Sequence, residues 1–155
     1  WFCVAALHGS GGNIVTIERT EDYRRVKRLV DANPIDQESE WKLTISRDVF
    51  YLIEVQDGED VGVWCFDPTE NGDYEMHAAM SKACRGKAAV TSGLDAIRWI
   101  YENTDANTII APVPEYLKYA QRIPIAAGLV YEGMKHGRKI YKMQRELFNE
   151  LSEVM

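Results

Sequence analysis

Cysteine is scarce in this 155-residue chain. Cys3, Cys65 and Cys84 form no CxxC pair and have no neighbouring histidine, so neither a disulfide framework nor a metal site is indicated, and a reducing, cytoplasmic setting is expected. Long apolar runs are missing as well. Stretches such as Val61 to Phe66 fall far short of the roughly 20 residues that a membrane-spanning helix needs, and no membrane partner is expected. Positive charge is in deficit: 18 Lys+Arg against 24 Asp+Glu leave a net charge of −6, which repels a phosphate backbone, so nucleic acid is not expected as a partner either. No repeat of fixed period occurs. What is present, 46% apolar and 27% charged residues, is the balance of one folded domain rather than of a disordered tract or a fibre.

Residues 1–12 read in two ways, as an appended peptide or linker ending in His8-Gly9-Ser10-Gly11-Gly12, or as a native edge strand that buries its aromatic start. A domain then runs over 13–143, with a helical extension over 144–155. Ile14 to Ile17 is β-branched and reads as a strand, and Thr20 stands where a helix N-cap is wanted. Tyr23, Val26, Leu29 and Val30 give the following helix its apolar face, Glu21 and Asp22 fall in its first turn, and Asn33-Pro34 ends it. Ile35 to Arg47 fits either a short helix or a loop leading into a strand. Phe50 to Val55 and Val61 to Phe66 read as a hairpin around Asp57-Gly58, and a reversal over Pro68 to Asp73 leads to a third strand over Tyr74 to Met80. Val90, Leu94, Ile97 and Tyr101 then fall at helical spacing between Ala88 and Tyr101. Thr108 to Val113 reads as a strand, Glu115 to Ala127 as a helix stopped by Gly128, and Val130 to Met134 with Lys139 to Met143 as a hairpin around His136-Gly137. Strands and helices in this order make an α+β, or mixed α/β, fold.

The chemistry concentrates in Glu75-Met76-His77-Ala78-Ala79-Met80-Ser81-Lys82-Ala83-Cys84-Arg85-Gly86-Lys87-Ala88-Ala89-Val90-Thr91. A strand runs into an Arg-Gly-Lys turn, and small residues then open a long helix whose first amides have no intrahelical partner. Such a start cradles an anion: small side chains let a diphosphate reach the backbone, and the helix dipole favours it. Arg85, Gly86, Lys87, Ala88, Ala89 and Val90, with Ala79 and Met80 at the strand end, are the candidate cofactor-binding residues.

On these residues the chain resembles the GNAT N-acetyltransferases, over about Ile14 to Met143. The loop from Arg85 is similar to that family's Arg/Gln-x-x-Gly-x-Gly/Ala loop. Glu75, eleven residues before Gly86, stands where the ribosomal-protein-acetyltransferase branch often carries Glu. Arg122-Ile123, Gly128-Leu129 and Glu132-Gly133 match the branch's Arg-Val, Gly-Phe and Glu-Gly pairs. The resemblance implies a central twisted mixed sheet of about six to seven strands flanked by helices, with acetyl-CoA as cofactor and an amine, on a protein or a small molecule, as acceptor. It further implies direct attack of the amine, with Glu75 or His77 as base and backbone amides near Met80 facing the thioester carbonyl. Three departures stand out. Ala88 replaces a usual Gly, Val90 places two methyl groups beside the expected diphosphate path, and Pro124 occupies the position of the usual acidic Tyr, for which Tyr116, Tyr119 or Tyr131 would substitute, Tyr119 being the candidate carried forward. The chain also resembles GNAT-like head-assembly and internal-virion proteins of short-tailed phages. That likeness implies a second function class, a non-catalytic scaffold placed in host cytoplasm or virion.

Each candidate has a plainer reading. Glu75 fits a solvated edge residue, His77 a locally bonded histidine, Tyr119 and Tyr131 packing residues, and Trp41, Trp64 and Trp99 core aromatics. Cys84 beside Arg85 suggests a lowered thiol pKa without a nucleophile's usual partners. The one basic concentration, Lys135, His136, Arg138, Lys139, Lys142 and Arg145, reads as a solvated strand face. Leu147, Leu151 and Val154 make an amphipathic tail that docks on the domain or on a partner, a second copy or a virion protein.

Overall fold

A computed structural model describes residues 5–8, 14–33 and 45–154. The open segment Ile35 to Arg47, except for residues 45–47, lies outside the described residues, as do Trp41, Cys3 and the Gly-rich stretch 9–13. Among the described residues eight strands form one sheet: β1 (Ala5–His8), β2 (Ile14–Thr20), β3 (Phe50–Gln56), β4 (Glu59–Pro68), β5 (Asp73–Met80), β6 (Thr108–Pro114), β7 (Val130–Lys135) and β8 (Arg138–Gln144). Their order is β1-β2-β3-β4-β5-β6-β8-β7, and every pairing is antiparallel except β5 with β6. Six to seven strands were expected; the eighth is Ala5–His8, whose backbone pairs with β2 at the sheet edge. Among the described residues four α-helices, α1 (Tyr23–Ala32), α2 (Lys87–Asn103), α3 (Arg122–Ala127) and α4 (Arg145–Val154), cover the two faces. No described helix is long and apolar enough to cross a membrane.

Alternation along the strands builds two cores. Leu52, Trp64, Phe66, Met76, Ile109, Tyr141 and Met143 point toward α2, α3 and α4. Tyr51, Ile53, Val63, Cys65 and Ala79 point the other way, toward Val26 and Leu29 of α1. Both faces of the central strands are covered, which is why Val61 to Phe66 is continuously apolar rather than alternating. The two hairpin turns read from the sequence form as expected: Asp57 and His136 adopt φ of 50° and 52° ahead of their glycines, as a two-residue turn with both φ positive demands.

Two boundaries differ from expectation. Thr20 does not cap α1, because its backbone is held in β2 opposite Tyr51. Its hydroxyl accepts the Asp22 N–H instead, and Asp22 is the N-cap, accepting the Arg25 N–H at 3.2 Å. The helix expected over 115–127 shrinks to α3. A proline at position 124 clashes with a helical carbonyl four residues back, so the helix has no room before Gln121, and 115–121 form successive turns. Buried Gln121 donates to the Glu115 carbonyl at 2.6 Å, satisfying a group the missing helix would have used. Gly128, at φ 95°, stops α3 as the sequence indicated, with the Gly128 and Leu129 amides bonded to the Ile125 and Pro124 carbonyls.

The basic tail is not all solvated. Arg145 donates to the carbonyls of Ala106, Tyr101 and Thr104 at 2.8 to 2.9 Å, so its charge lies at the negative end of α2. Phe148, not singled out in the sequence, stacks on Tyr101 with ring centres 5.1 Å apart, and Leu147 and Leu151 pack against the same core. The tail therefore docks on its own domain, one of the two alternatives the sequence left open, and of its expected apolar residues only Val154 is left exposed. Replacing Arg145 by Met should lower the unfolding free energy by about 2 kcal/mol, since charge-assisted bonds to three carbonyls are lost. Denaturant titration of the two proteins checks this.

Candidate active site

The sheet opens between β5 and β6. These strands pair over three rows only, Asp73 with Thr108, Tyr74 with Ile109 and Glu75 with Ile110, although β5 continues to Met80 and β6 to Pro114. The reason lies in β6. Bonds from the Arg145 N–H to the Asn107 carbonyl and from the Glu115 N–H to the Gly137 carbonyl fix the alternation of its backbone. Odd-numbered residues address β8, so even-numbered ones address β5. Pro112 and Pro114 are even and have no N–H, so the donors that would continue the ladder to β5 do not exist. Pairing with β8, which uses the odd residues, runs the full length of β6.

On β5 the same logic applies. The Ser81 N–H bonds the Val61 carbonyl, so odd residues address β4, and the backbone groups of Ala78 and Met80 point into the opening. A cleft of about 180 Å³ occupies the gap, lined by Met76, His77, Ala78 and Met80 from β5, Arg85, Ala89, Val90 and Gly93 from the start of α2, and Tyr119 and Pro124 from the stretch after β6.

The start of α2 stands at this cleft. A 3-10 turn over Lys82–Cys84 leads to Gly86, whose φ of 79° and ψ of −134° suit glycine alone. Gly86 caps the helix without a side-chain hydrogen bond, and the first helical bond runs from the Val90 N–H to the Gly86 carbonyl at 3.2 Å. The amides of Lys87, Ala88 and Ala89 therefore have no partner within the helix. Lys87 and Ala88 are exposed, Ala89 is buried, and Arg85 donates to the Met80 carbonyl at 3.4 Å, tying the loop to the end of β5. Val90 sits one turn in, half-buried on the cleft wall against the core.

The structure brings most of the expected residues together, with exceptions. Ala79 points into the α1-side core and its backbone addresses β4, so it does not reach the cleft. Glu75 and His77 share the α1 side of the sheet, and the His77 Nε2–H donates to Glu75 Oε1 at 3.1 Å. This bond, opposed by partial burial and helped by the charges of His77, Arg138 and Lys135, holds the Glu75 carboxyl below its ordinary range. His77 lines the cleft as well, so the opening connects the two faces of the sheet. Tyr119 is exposed at the cleft, whereas Tyr131 stacks on Tyr141 at 5.6 Å. Cys84 is buried, and burial, opposed by a hydrogen bond to Ser81 and helped by neighbouring Glu54, pushes its thiol up rather than down. Trp64 and Trp99 are core aromatics. Among the described residues no group of three His, Cys, Asp or Glu side chains could hold a metal ion.

The sequence reading missed the buried polar residues Glu54, Ser92, Asp95 and Gln121, of which Glu54 bears most on the site. Glu54 of β3 is only 2% exposed, within the apolar run Tyr51-Leu52-Ile53-Glu54-Val55, and a lone acid in such a run was the available signal. It lies beneath the start of α2, hydrogen-bonded to Ser92 and adjoining Cys84, while the Trp64 Nε1–H donates to Ser92 Oγ at 2.5 Å and the Cys84 thiol to Gln56 at 3.6 Å. Burial raises the Glu54 pKa. A folded state with the higher pKa binds more protons than the unfolded chain, so this group costs stability progressively as pH rises above about 4.5. Glu54→Gln does not titrate; its melting temperature relative to the parent should therefore rise from pH 4 to pH 8. A gap that shrinks over that range would show that the fold favours the Glu54 carboxylate and lowers its pKa instead.

No family model matches the sequence, and no curated protein matches it. Solved structures do match in shape. The GNAT domain of S. lividans PAT aligns with a TM-score of 0.73 at 14% identity, covering 91% of this chain and 96% of that one. Mycobacterium smegmatis RimJ in complex with CoA-disulfide gives 0.70 at 13% identity over 97% and 93%. The ribosomal-protein-S5-alanine acetyltransferase of Vibrio fischeri gives 0.69 at 12% identity over 92% and 97%. The chain has the GNAT fold.

Proposed function

We propose that this chain transfers an acetyl group from acetyl-CoA to an amine. The observation that carries the reading is the uncapped start of α2 at the mouth of the opening between β5 and β6. The free amides of Lys87, Ala88 and Ala89, with the Arg85 and Lys87 side chains beside them, suit a diphosphate, which the helix dipole attracts. The backbone groups of Ala78 and the Met80 N–H suit the amide-bearing arm that follows a diphosphate in CoA, since strand backbone beyond its last paired row has unmet hydrogen-bonding capacity, the Met80 carbonyl already accepting from Arg85. When bound, acetyl-CoA supplies an acyl group activated as a thioester.

The chain's own residues bind, orient and handle the proton. Glu75, held as a carboxylate, draws the acceptor in as its ammonium. The proton that the amine sheds is taken up at Glu75 Oε2, because Oε1 already accepts the His77 Nε2–H at 3.1 Å, which keeps the carboxylate aimed at the opening. Tyr119 is the hydroxyl available on the opposite wall, where Pro124 cannot serve as an acid. Val90 sets the width of the cleft.

Glu75→Gln and His77→Ala should each lower kcat for acetyl transfer by about 100-fold or more, leaving the Kd for CoA within about twofold of the parent. Thiol release in steady state and calorimetric CoA titration check the two halves of this statement. Unchanged kcat in both variants removes the pair from the mechanism. A second expectation concerns the opening. Replacing Pro112 and Pro114 together by Val restores two donors aimed at β5, so CoA affinity should fall by tenfold or more as the ladder extends. Hydrogen exchange of the two new amides, protected in the variant, reports the extension itself.

A further inference from the structure

The lining of the cleft is unevenly divided. Its polar side chains lie at the edges, Arg85 and the exposed Tyr119 on the side of the α2 start, Asn33 and His77 on the α1 side. The inner wall is Met76, Ile97, Ala111, Ala127 and Leu129, each at most 8% exposed and all part of the core beneath α2. Trp64 stands among them, but its one polar atom is committed to Ser92 Oγ. Met76 and Ala111 are the first residues past the last paired row of β5 and β6 to face α2, so this wall is the foot of the opening, where the strands close. Ala89, Gly93 and Ile97 line the cleft at successive turns of α2, which carries it on the order of 12 Å along the helix, from the uncapped amides to that foot.

The chemistry of the two sides sorts the parts of a bound thioester. The amide-bearing arm of CoA finds backbone partners at Ala78 and the Met80 N–H, but a polar group pushed further, onto the inner wall, meets no side chain that can bond it and loses its hydration for nothing. Hydrocarbon alone suits that wall. The amine arrives from the opposite side, at Glu75 and His77, so the acyl group is left to point toward the foot. An acetyl group extends only one methyl beyond its carbonyl and leaves most of the foot without contacts, which forfeits dispersion. Two residues make the foot accommodating. Ala111 is the smallest of the β6 residues that face α2, between Ile109 and Val113, and Met76 is unbranched and adapts its shape to what it packs against.

We propose that the site takes short unbranched fatty acyl groups as well as acetyl, their hydrocarbon seated on Met76, Ile97, Ala111, Ala127 and Leu129, and that it holds such thioesters more tightly than acetyl-CoA. This rests on the transferase reading for the CoA end, and the bond change is the same: a C–N bond replaces the C–S bond, and the departing sulfur takes a proton that the nitrogen gives up. CoA, acetyl-CoA and butyryl-CoA are titrated calorimetrically into the full chain with no acceptor present. Butyryl-CoA, with two further methylenes to bury, should bind about tenfold tighter than acetyl-CoA. In methyl-labelled protein the Met76, Ile97 and Leu129 signals should move further with butyryl-CoA than with CoA or acetyl-CoA. Ala111→Val narrows the foot, so the preference should fall to about twofold while the Kd for CoA stays within about twofold of the parent. Equal or weaker binding of butyryl-CoA, methyl signals that respond alike to all three ligands, or a preference that survives Ala111→Val overturns the proposal and leaves the transferase reading standing. The methyl signals of the parent decide the matter if the variant does not fold. Failure of all three ligands to bind at millimolar concentration overturns both.

Discussion

The N–H groups that Pro112 and Pro114 lack are the constraint on which the site depends. A parallel pair of strands needs a donor on alternate residues, and β6 presents two prolines where β5 needs donors. The ladder stops after the Glu75–Ile110 row while both strands continue, β6 supported on its other side by β8 throughout. The gap exposes what the rest of the fold places there: the backbone of Ala78 and Met80, the start of α2 at its mouth, and His77 on its wall.

The surroundings hold this geometry from two ends of α2. At the N-terminal end, Gly86 turns the chain through a conformation that leaves three amides uncapped, Arg85 fastens the loop to the Met80 carbonyl, and the Glu54, Ser92 and Trp64 group fixes the helix to the sheet beneath. At the C-terminal end, Arg145 takes the carbonyls that the helix leaves over, and Phe148 packs the tail onto Tyr101. A long helix anchored at both ends keeps its first turn in place, which matters to the proposed cradle, whose groups are backbone amides that no side-chain motion can re-aim.

Much of this was legible in the sequence because it rests on local rules. Strand alternation, the Asp57-Gly58 and His136-Gly137 turns, the Gly128 stop and the helical spacing from Val90 to Tyr101 all report on neighbouring residues, and the structure follows them closely. The turn through Gly86 into the start of α2 was legible for the same reason. What failed was decided by partners distant in sequence. Thr20 is a good cap on its own, yet strand pairing with Tyr51 holds it extended. Arg145 looks like one more surface cation until α2 arrives beside it. Ala79 lies on a strand facing the wrong way for the role given it. The two prolines in β6 were visible, but their meaning depends on which neighbour each odd and even residue addresses, and that requires the register with β8.

Backbone resonances give the most direct test of the central claim, that the first amides of α2 hold the diphosphate of CoA. On titrating CoA into isotope-labelled protein, the amide signals of Lys87, Ala88 and Ala89 should shift in a saturable manner, and titration of pantetheine, which lacks the diphosphate, should leave those three signals in place. If CoA at millimolar concentration moves none of them, or if pantetheine moves them equally, the α2 start is not a diphosphate cradle and the proposed acetyl transfer loses its basis.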